Sequence, residues 1–263
     1  MIAINVILAA MLFVAFVVSI CIHESAHALA ALALSDSGPR NDGRVSLNPL
    51  RQMTALGTAV ALVLAFLSTL YLAALLPAGL ALGWGKPVRF DALKLRGGPN
   101  FGTVLVALAG PLANLVLGLG CAFGLSAIPQ PQRFVSNVVF CGPNAQCLGS
   151  IIPWWQWRAE QVLFAFAVVN IGLFLINLIP LYPLDGAQML FALLPSKQAV
   201  SFRRRESLME LIVLGILFIL PMILSFTSAS ELAVLSPFYW IFRGTLGIAF
   251  TILNPVYQIF YLV

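Results

Sequence analysis

The stretch IAINVILAAMLFVAFVVSICIHESAHA, residues 2–28, decides the fold because a long apolar run ends in a cluster of ionisable side chains. About 20 apolar residues are enough to cross the hydrocarbon core of a bilayer. Ionisable groups are so costly inside such a run that their presence indicates function. The stretch lacks the basic start and the small-residue cleavage site of a signal peptide, so we expect a retained membrane helix.

The rest of the chain is similarly apolar. Of its 263 residues, 61% are hydrophobic and 9% are charged, whereas a soluble domain has about 25% charged residues. The runs long enough to cross a membrane are 2–22, 56–82, 102–127, 162–181, 207–226 and 244–263. We therefore predict an all-α polytopic membrane protein with about six helical segments. No repeat or long polar stretch separates a second domain, so residues 1–263 are predicted to form one domain, with a core over about 1–195, which holds the motifs described below, and C-terminal helices over about 205–263.

Two loop regions are informative. The stretch GWGKPVRFDALKLRGG, residues 83–98, has turn residues at both ends and a short apolar-polar alternation. This pattern predicts a small membrane-associated strand or hairpin, with an irregular interfacial loop as the alternative. The loop CGPNAQC can turn back on itself, so Cys141 and Cys147 form either a disulfide or two free thiols, depending on the compartment.

The formal charge of +5 does not indicate nucleic-acid binding. The basic residues lie in short loops between the apolar runs, where lipid headgroups and membrane topology explain them. The lipid bilayer is therefore the expected partner, and no nucleic acid is expected.

The segment His23-Glu24-Ser25-Ala26-His27 carries the chemistry. Positions i and i+4 share one face of a helix, so both imidazoles can reach a single metal ion. Glu24 then lies beside the metal, where it can act as the general base. These are the only 2 histidines in the chain, and an acidic residue in an apolar run is rare, which favours a metal site over a polar helix patch.

A catalytic zinc ion takes three protein ligands and leaves one position open, so a third ligand is needed. The candidate is Asp185, at the end of the segment NLIPLYPLDG. Pro180 and Pro183 would end the preceding helix, and Gly186 would let the backbone turn so that the carboxylate points inward. By itself such an aspartate is more often a cap or a surface charge.

With these motifs the chain resembles the site-2 protease family of intramembrane zinc metalloproteases, in particular its small bacterial members without PDZ or CBS domains. The stretches HESAHA and NLIPLYPLDG match two motifs of that family, and GWGKPV (83–88) and GPLAN (110–114) match two others. The resemblance runs from about residue 15 to 195. It implies one zinc ion per chain, held by His23, His27 and Asp185, with Glu24 as base.

The resemblance implies further roles. Asn177 would hold the substrate backbone or the oxyanion, Asn114 would lie close to the active site, and GWGKPV would pair with an unwound substrate segment. Hydrogen bonding between helices and a plain turn are the alternatives for these residues. The chain departs from the family after Asn48-Pro49-Leu50, where Arg51 to Ala55 replace its usual His-x-Asp-Pro-like stretch, so no role is carried over to 51–55.

The zinc site constrains the topology. The ends of the first helix and of the 162–181 helix must approach the same side of the membrane, which holds if 56–82 is re-entrant and fails if every run crosses. The re-entrant arrangement puts eleven of the 14 basic residues on one side and leaves Arg133, Arg158 and Arg243 on the other. If all runs cross, the split weakens to eight and six. The positive-inside rule thus favours a site nearer the cytoplasmic face.

The predicted activity is hydrolysis of peptide bonds within or near the transmembrane segments of membrane-anchored proteins, as in regulated intramembrane proteolysis. The predicted location is the bacterial inner membrane, and a separate adaptor or regulatory protein is a possible partner. The alternatives are a catalytically silent metal-binding membrane protein or a metal transporter, which would need a polar route through the membrane. A different class of HExxH membrane protease would take a glutamate as its third ligand, which the Asp185 motif disfavours.

Overall fold

The computed structural model describes residues 6–71, 85–128 and 154–215, and these residues are mostly helical. Within these ranges, three helices are long and apolar enough to cross a membrane. In chain order the helices are α1 (Val6–Ala33), α2 (Gly38–Asn41), α3 (Pro49–Gln52), α4 (Ala55–Tyr71), α5 (Pro99–Ser126), α6 (Trp154–Asn177), α7 (Asp185–Leu193), α8 (Ser196–Arg203) and α9 (Glu206–Leu214). The three candidate spans, Ala9–Ala33 in α1, Pro99–Leu125 in α5 and Arg158–Asn177 in α6, overlap the predicted runs 2–22, 102–127 and 162–181, and the first extends eleven residues beyond its predicted end.

The core forms where α1, α4 and α6 meet. Phe16 and Ile20 of α1 pack with Val169 and Leu173 of α6 and with small residues of α4. Helix α5 packs against both α1 and α6. It lies close to α6 at Gly118, where a Cβ atom would be 3.1 Å from the backbone nitrogen of Ile171, and small residues allow this kind of close packing between membrane helices.

The loop after α1 is tied to the loop before α5. Asp36 is buried, and its carboxylate accepts hydrogen bonds from the backbone N–H groups of Gly38 and Asp91 at 3.0 and 2.7 Å. The N–H of Arg96 donates to the carbonyl of Leu34 at 2.7 Å. These bonds hold the two loops together at the end of α1 that carries the histidines.

The strand or hairpin predicted for 83–98 is not confirmed in the described part of that stretch, which starts at residue 85. In residues 85–98, Gly85 forms an isolated antiparallel bridge with Met53, and a 3₁₀ turn follows over Ala92–Lys94. The side chain of Asp91 accepts a hydrogen bond from Leu93 N and starts this turn. The apolar-polar alternation therefore ends where an aspartate caps a turn.

Other predictions concern residues that are described only in part. Helix α4 covers Ala55–Tyr71 of the 56–82 run. Whether 56–82 crosses the membrane stays a prediction, since residues 72–84 lie outside the described ranges. Helix α9 covers the start of the 207–226 run, whereas the 244–263 run and the pair Cys141 and Cys147 lie outside the described residues.

Candidate metal centre

Three buried side chains that can ligate a metal ion meet beside α1. His23 and His27 come from α1, and Asp185 comes from the first turn of α7. The Nε2 atoms of the two imidazoles are 3.0 Å apart. Asp185 Oδ2 lies 3.0 Å from Nε2 of His23 and 3.3 Å from Nε2 of His27. The structure thus brings together the three residues that the sequence predicts as ligands.

The turn between α6 and α7 carries Asp185 to this point. Helix α6 ends at Asn177, ahead of Pro180 and Pro183, as expected from the two prolines. Gly186 packs directly on the backbone of Ile179, where a Cβ atom would lie 2.6 Å from the carbonyl carbon. Gly186 is therefore required for close approach, and only a glycine lets the turn close tightly enough to put Asp185 beside α1.

The other nitrogen of each imidazole is held by an acceptor. His23 Nδ1 lies 2.6 Å from Oδ1 of Asn114, and His27 Nδ1 lies 2.7 Å from the carbonyl oxygen of Val106. A carbonyl oxygen can only accept, so each Nδ1 carries the proton and donates it. Each Nε2 is then left with a lone pair, which is the form in which an imidazole ligates a metal.

The geometry of the three ligand atoms fits a metal ion. Two lone pairs and a carboxylate oxygen face one another, and Asp185 Oδ2 is buried without a hydrogen-bond donor among the described residues. Acceptors so close together repel one another unless a cation lies between them. Ligand bonds of about 2.0–2.1 Å in a tetrahedral zinc site put the ligand atoms about 3.3 Å apart. The separations of 3.0–3.3 Å therefore match such a site.

Asp185 is ionised in this arrangement. Its Oδ2 faces Nε2 of His23 and Nε2 of His27 at 3.0 and 3.3 Å, so a cation between the three atoms would hold the carboxyl group in its charged form. The position of Asp185 in the first turn of α7 also favours the anion, since the N-terminus of a helix carries partial positive charge. Asp185 therefore offers a carboxylate oxygen to a cation.

Glu24 is buried beside the three ligands, close enough to interact electrostatically with each of them. Its Oε2 lies 3.4 Å from Nη2 of Arg44, which is also buried. The same guanidinium donates hydrogen bonds to the carbonyls of Lys86 and Arg51. Arg44 thus joins the glutamate to two loop segments, and the carboxylate is held in a defined position.

These two segments, residues 44–53 and 85–86, form a cover over Glu24. Ser25 donates a hydrogen bond to the carbonyl of Ser46 at 2.7 Å, and the fully buried Gln52 side chain donates to Ser25 Oγ at 3.2 Å and to the carbonyl of Arg44 at 2.7 Å. On the other side, a Cβ atom on Gly85 would lie 2.9 Å from the carboxyl carbon of Glu24. The backbone at Gly85, within the GWGKPV stretch, therefore lies against the predicted base.

Helix α5 makes room for the imidazoles at Gly110. A Cβ atom at this position would lie 2.6 Å from Cε1 of His27 and 2.8 Å from Cε1 of His23. Such distances are far below van der Waals contact. Gly110, Asn114 and Gly118 follow one another at intervals of four residues, so they share one face of α5. This face contacts the imidazoles at Gly110 and Asn114 and packs against α6 at Gly118.

The two predicted asparagines differ in position. Asn114 is fully buried and in contact with His23. The side chain of Asn177 donates a hydrogen bond to the carbonyl of Leu173 in its own helix at 2.9 Å, and no hydrogen bond to the three ligands is found for it among the described residues. The structure therefore brings Asn114 into the site and leaves Asn177 at the end of α6.

Sequence reasoning missed Asn170, Ser19 and Arg44. Asn170 Oδ1 accepts a hydrogen bond from Asn114 Nδ2 at 2.8 Å, and its Nδ2 donates to Ser19 Oγ at 2.7 Å. The available signal was the presence of polar residues inside the apolar runs 162–181 and 2–22, since such residues join membrane helices. Arg44 gave no signal, because one arginine in a polar loop looks like a surface residue.

Fold and site together define a helical membrane protein with a buried site of two histidines and one aspartate, beside a glutamate of an HExxH motif. The pattern of Peptidase family M50 matches residues 65–221. The chain therefore belongs to peptidase family M50, the site-2 protease family of metalloproteases, which confirms the resemblance. The matched range includes Asp185 but begins after the HExxH motif, so the motif and the family match are separate observations.

One relative is similar over most of its length. The Bacillus subtilis (strain 168) protein named "Putative zinc metalloprotease YwhC" is 28% identical over 211 residues, which are 80% of this chain and 81% of the relative. No solved structure matches the chain.

Proposed function

We propose that this chain is an intramembrane zinc endopeptidase. It would hydrolyse peptide bonds within or near the transmembrane segments of membrane-anchored proteins, as in regulated intramembrane proteolysis. Family membership makes it a metalloprotease, and three long apolar helices make it an integral membrane protein. The proposal adds the metal, the residues that hold it and the kind of substrate.

One observation carries the proposal. Three acceptor atoms of His23, His27 and Asp185 face one another at 3.0–3.3 Å and are buried among helices that can cross a bilayer. His27 lies six residues before the end of α1, which corresponds to about 9 Å along the helix. This position supports a site within the bilayer, nearer one face than the other.

The residues of the chain divide the chemistry between them. A zinc ion held by His23, His27 and Asp185 would polarise the scissile carbonyl and make a water molecule acidic enough to react near pH 7. Glu24 takes the proton from the attacking water and returns it to the departing amine. Arg44 holds the glutamate in place through its contact with Oε2. Asn114 orients His23.

Substrate binding involves the cover and Asn177. Peptide bonds in a membrane helix are already hydrogen-bonded, so the substrate must unwind locally before it reaches the zinc. The contact of Gly85 with Glu24 supports a role for the GWGKPV stretch in holding the unwound segment. Asn177 would leave its bond to Leu173 to hold the substrate backbone or the oxyanion. This role rests on the family resemblance.

The location follows from the charge distribution. The excess of basic residues in the loops on the side of the active site supports the cytoplasmic face of a bacterial inner membrane. A separate adaptor or regulatory protein would supply selectivity for particular substrates.

A silent metal-binding protein or a metal transporter is the competing proposal. A transporter needs a route of polar groups across the membrane. In the described part of the protein, the buried polar side chains near the ligands are engaged in hydrogen bonds in two groups, and the core cluster where α1, α4 and α6 meet is apolar. The two groups are Glu24, Ser25, Arg44 and Gln52, and Ser19, Asn114 and Asn170. Proteolysis by the purified protein would separate the two proposals.

The test uses Glu24→Gln in proteoliposomes with a single-pass membrane reporter whose transmembrane helix contains an Asn-Pro pair. The variant should keep one zinc ion per chain and lose at least about 10²-fold in cleavage rate, because a general base contributes roughly 10²–10⁴-fold. The matched control Glu210→Gln, an exposed glutamate on α9, should cleave like the wild type, and a zinc chelator should stop both active proteins. Full cleavage by Glu24→Gln would contradict the mechanism.

A further inference from the structure

A buried chain of hydrogen bonds leads away from His23 on the side opposite the metal ligands. His23 Nδ1 donates to Asn114 Oδ1 at 2.6 Å, and Asn114 Nδ2 donates to Asn170 Oδ1 at 2.8 Å. Asn170 Nδ2 donates to Ser19 Oγ at 2.7 Å, and Ser19 donates to the carbonyl of Ala15 at 2.6 Å. The side chains of Ser19, Asn114 and Asn170 are completely buried. The series of hydrogen bonds passes through α1, α5 and α6, which are the helices long and apolar enough to span a membrane in the described part of the protein.

The chain of hydrogen bonds has one direction. The carbonyl of Ala15 can only accept, so Ser19 donates to it and accepts from Asn170. The amide of Asn170 must then present its oxygen to Asn114. Asn114 in turn directs its NH₂ group at Asn170 and its oxygen at His23. Each step leaves one orientation for the next group.

Main-chain carbonyls reinforce this direction. The NH₂ group of Asn170 also donates to the carbonyl of Phe166 at 2.8 Å, and that of Asn114 lies 3.3 Å from the carbonyl of Ser19. If either amide turned over, its oxygen would face a carbonyl oxygen with no hydrogen between them. A buried acceptor without a donor is strongly unfavourable, so both amides keep the orientation observed.

We propose that Asn170 is a positioning residue of the metal centre, which acts through Asn114 to fix the tautomer and the ring orientation of His23. The inference rests on the proposed zinc site. With Asn170 removed, the Asn114 amide loses its 2.8 Å partner and keeps the longer 3.3 Å contact with the carbonyl of Ser19, so its NH₂ group can turn towards His23 Nδ1 more easily. His23 would then have to carry its proton on Nε2, where it blocks binding of the metal.

The competing explanation is that Asn170 only joins two helices. Polar residues in membrane helices do hold neighbouring helices together. A purely structural asparagine would change the stability of the fold but not the intrinsic affinity for zinc. The two explanations therefore differ in a measurable binding constant.

The first experiment measures zinc affinity of the purified full-length protein in detergent by competition with a chelator. Asn170→Leu should bind zinc at least about 10-fold more weakly, because partners that orient a ligating histidine affect metal affinity by roughly 10–100-fold. In the cobalt-substituted protein, the absorption bands that report coordination geometry should change as well. Gln161→Leu replaces another buried polar residue of α6 and should leave zinc affinity and cobalt spectrum unchanged.

A second variant separates orientation from helix packing. An aspartate at position 114 presents an oxygen to His23 in either orientation, so it does not need Asn170 to set its direction. In the Asn114→Asp background, Asn170→Leu should therefore no longer weaken zinc binding. If Asn170 only joins the helices, Asn170→Leu should have the same effect in both backgrounds.

The outcomes are distinct. A wild-type protein that binds no stoichiometric zinc would overturn the proposed function itself. A wild type that binds zinc, with a folded Asn170→Leu variant of equal affinity, would overturn this inference alone. If Asn170→Leu does not accumulate in membranes, Asn170→Ser takes its place, because a serine bonds back to its own helix and cannot orient Asn114. Unchanged zinc affinity in Asn170→Ser would then overturn the inference.

Discussion

The two histidines are held in different ways, although they lie one helical turn apart on α1. His27 donates to a main-chain carbonyl of α5, that of Val106, at 2.7 Å. His23 donates to the side chain of Asn114, whose orientation depends on Asn170 and Ser19. A helix carbonyl has a fixed direction, whereas an amide side chain can turn over. One half of the centre is therefore set by the backbone of the fold and the other half by three polar side chains.

The largest loss of zinc binding is expected when either histidine is deleted, and here the two histidines should behave alike. His23→Ala and His27→Ala each delete one proposed ligand, so both should lose stoichiometric zinc and proteolysis. The loss should be on the order of 3 kcal/mol or more in zinc binding, since zinc sites share about 10–16 kcal/mol among four ligands. Metal analysis of the purified variants checks this. One variant with full zinc content would show that its histidine is not a ligand.

The second-largest loss of zinc binding is expected from a substitution that displaces both imidazoles at once. In Gly110→Ala, the added Cβ atom would meet Cε1 of His27 at 2.6 Å and Cε1 of His23 at 2.8 Å. The rings would have to move, and we expect a loss of about 2–3 kcal/mol in zinc binding, near the upper end for overpacking.

The matched control for this change is Gly120→Ala on the same helix. A Cβ atom there meets no atom within 4 Å. It should leave zinc affinity unchanged and slightly stabilise α5, by up to about 1 kcal/mol. Competition with a chelator measures the zinc affinity of both variants, and thermal unfolding measures their stability. Equal zinc affinity in Gly110→Ala and Gly120→Ala would mean that Gly110 does not shape the site.

The smallest changes in zinc affinity are expected from substitutions of the residues that hold the two histidines, and these changes should differ between His23 and His27. Asn114→Leu removes the acceptor of His23 and should weaken zinc binding by roughly 10–100-fold. Val106→Ala changes the residue that holds His27 but keeps the carbonyl oxygen, so it should lower stability by about 1–3 kcal/mol through the cavity and leave zinc affinity unchanged. Equal losses of zinc affinity in the two variants would contradict the division into a backbone half and a side-chain half.

The ligands were the part of the site that sequence could predict. The i, i+4 spacing of His23 and His27 is a property of one helix, and Asp185 lies in a motif that a proline pair and a glycine make recognisable. Gly186 was predicted to let the backbone turn, whereas in the structure it allows close approach to the backbone of Ile179. The three long helices were predictable from apolar length alone.

The supporting residues were not predictable in the same way. Asn170 and Ser19 are visible as polar residues in apolar runs, but their partner depends on how three helices pack, which no local pattern encodes. Arg44 reaches Glu24 from a polar loop through a tertiary fold of that loop. In the described part of 83–98, the alternation pattern gave way to the turn capped by Asp91, because a local hydrogen bond of an aspartate competes with strand pairing.

X-ray absorption at the zinc edge tests the central claim most directly, with full-length protein purified without a histidine tag. The chain has 2 histidines and 4 cysteines, so the ligand count identifies residues. The account predicts one zinc ion per chain with two imidazoles and oxygen ligands at about 2.0–2.2 Å. Absence of zinc, fewer than two imidazoles, or sulfur ligands at about 2.3 Å would contradict it.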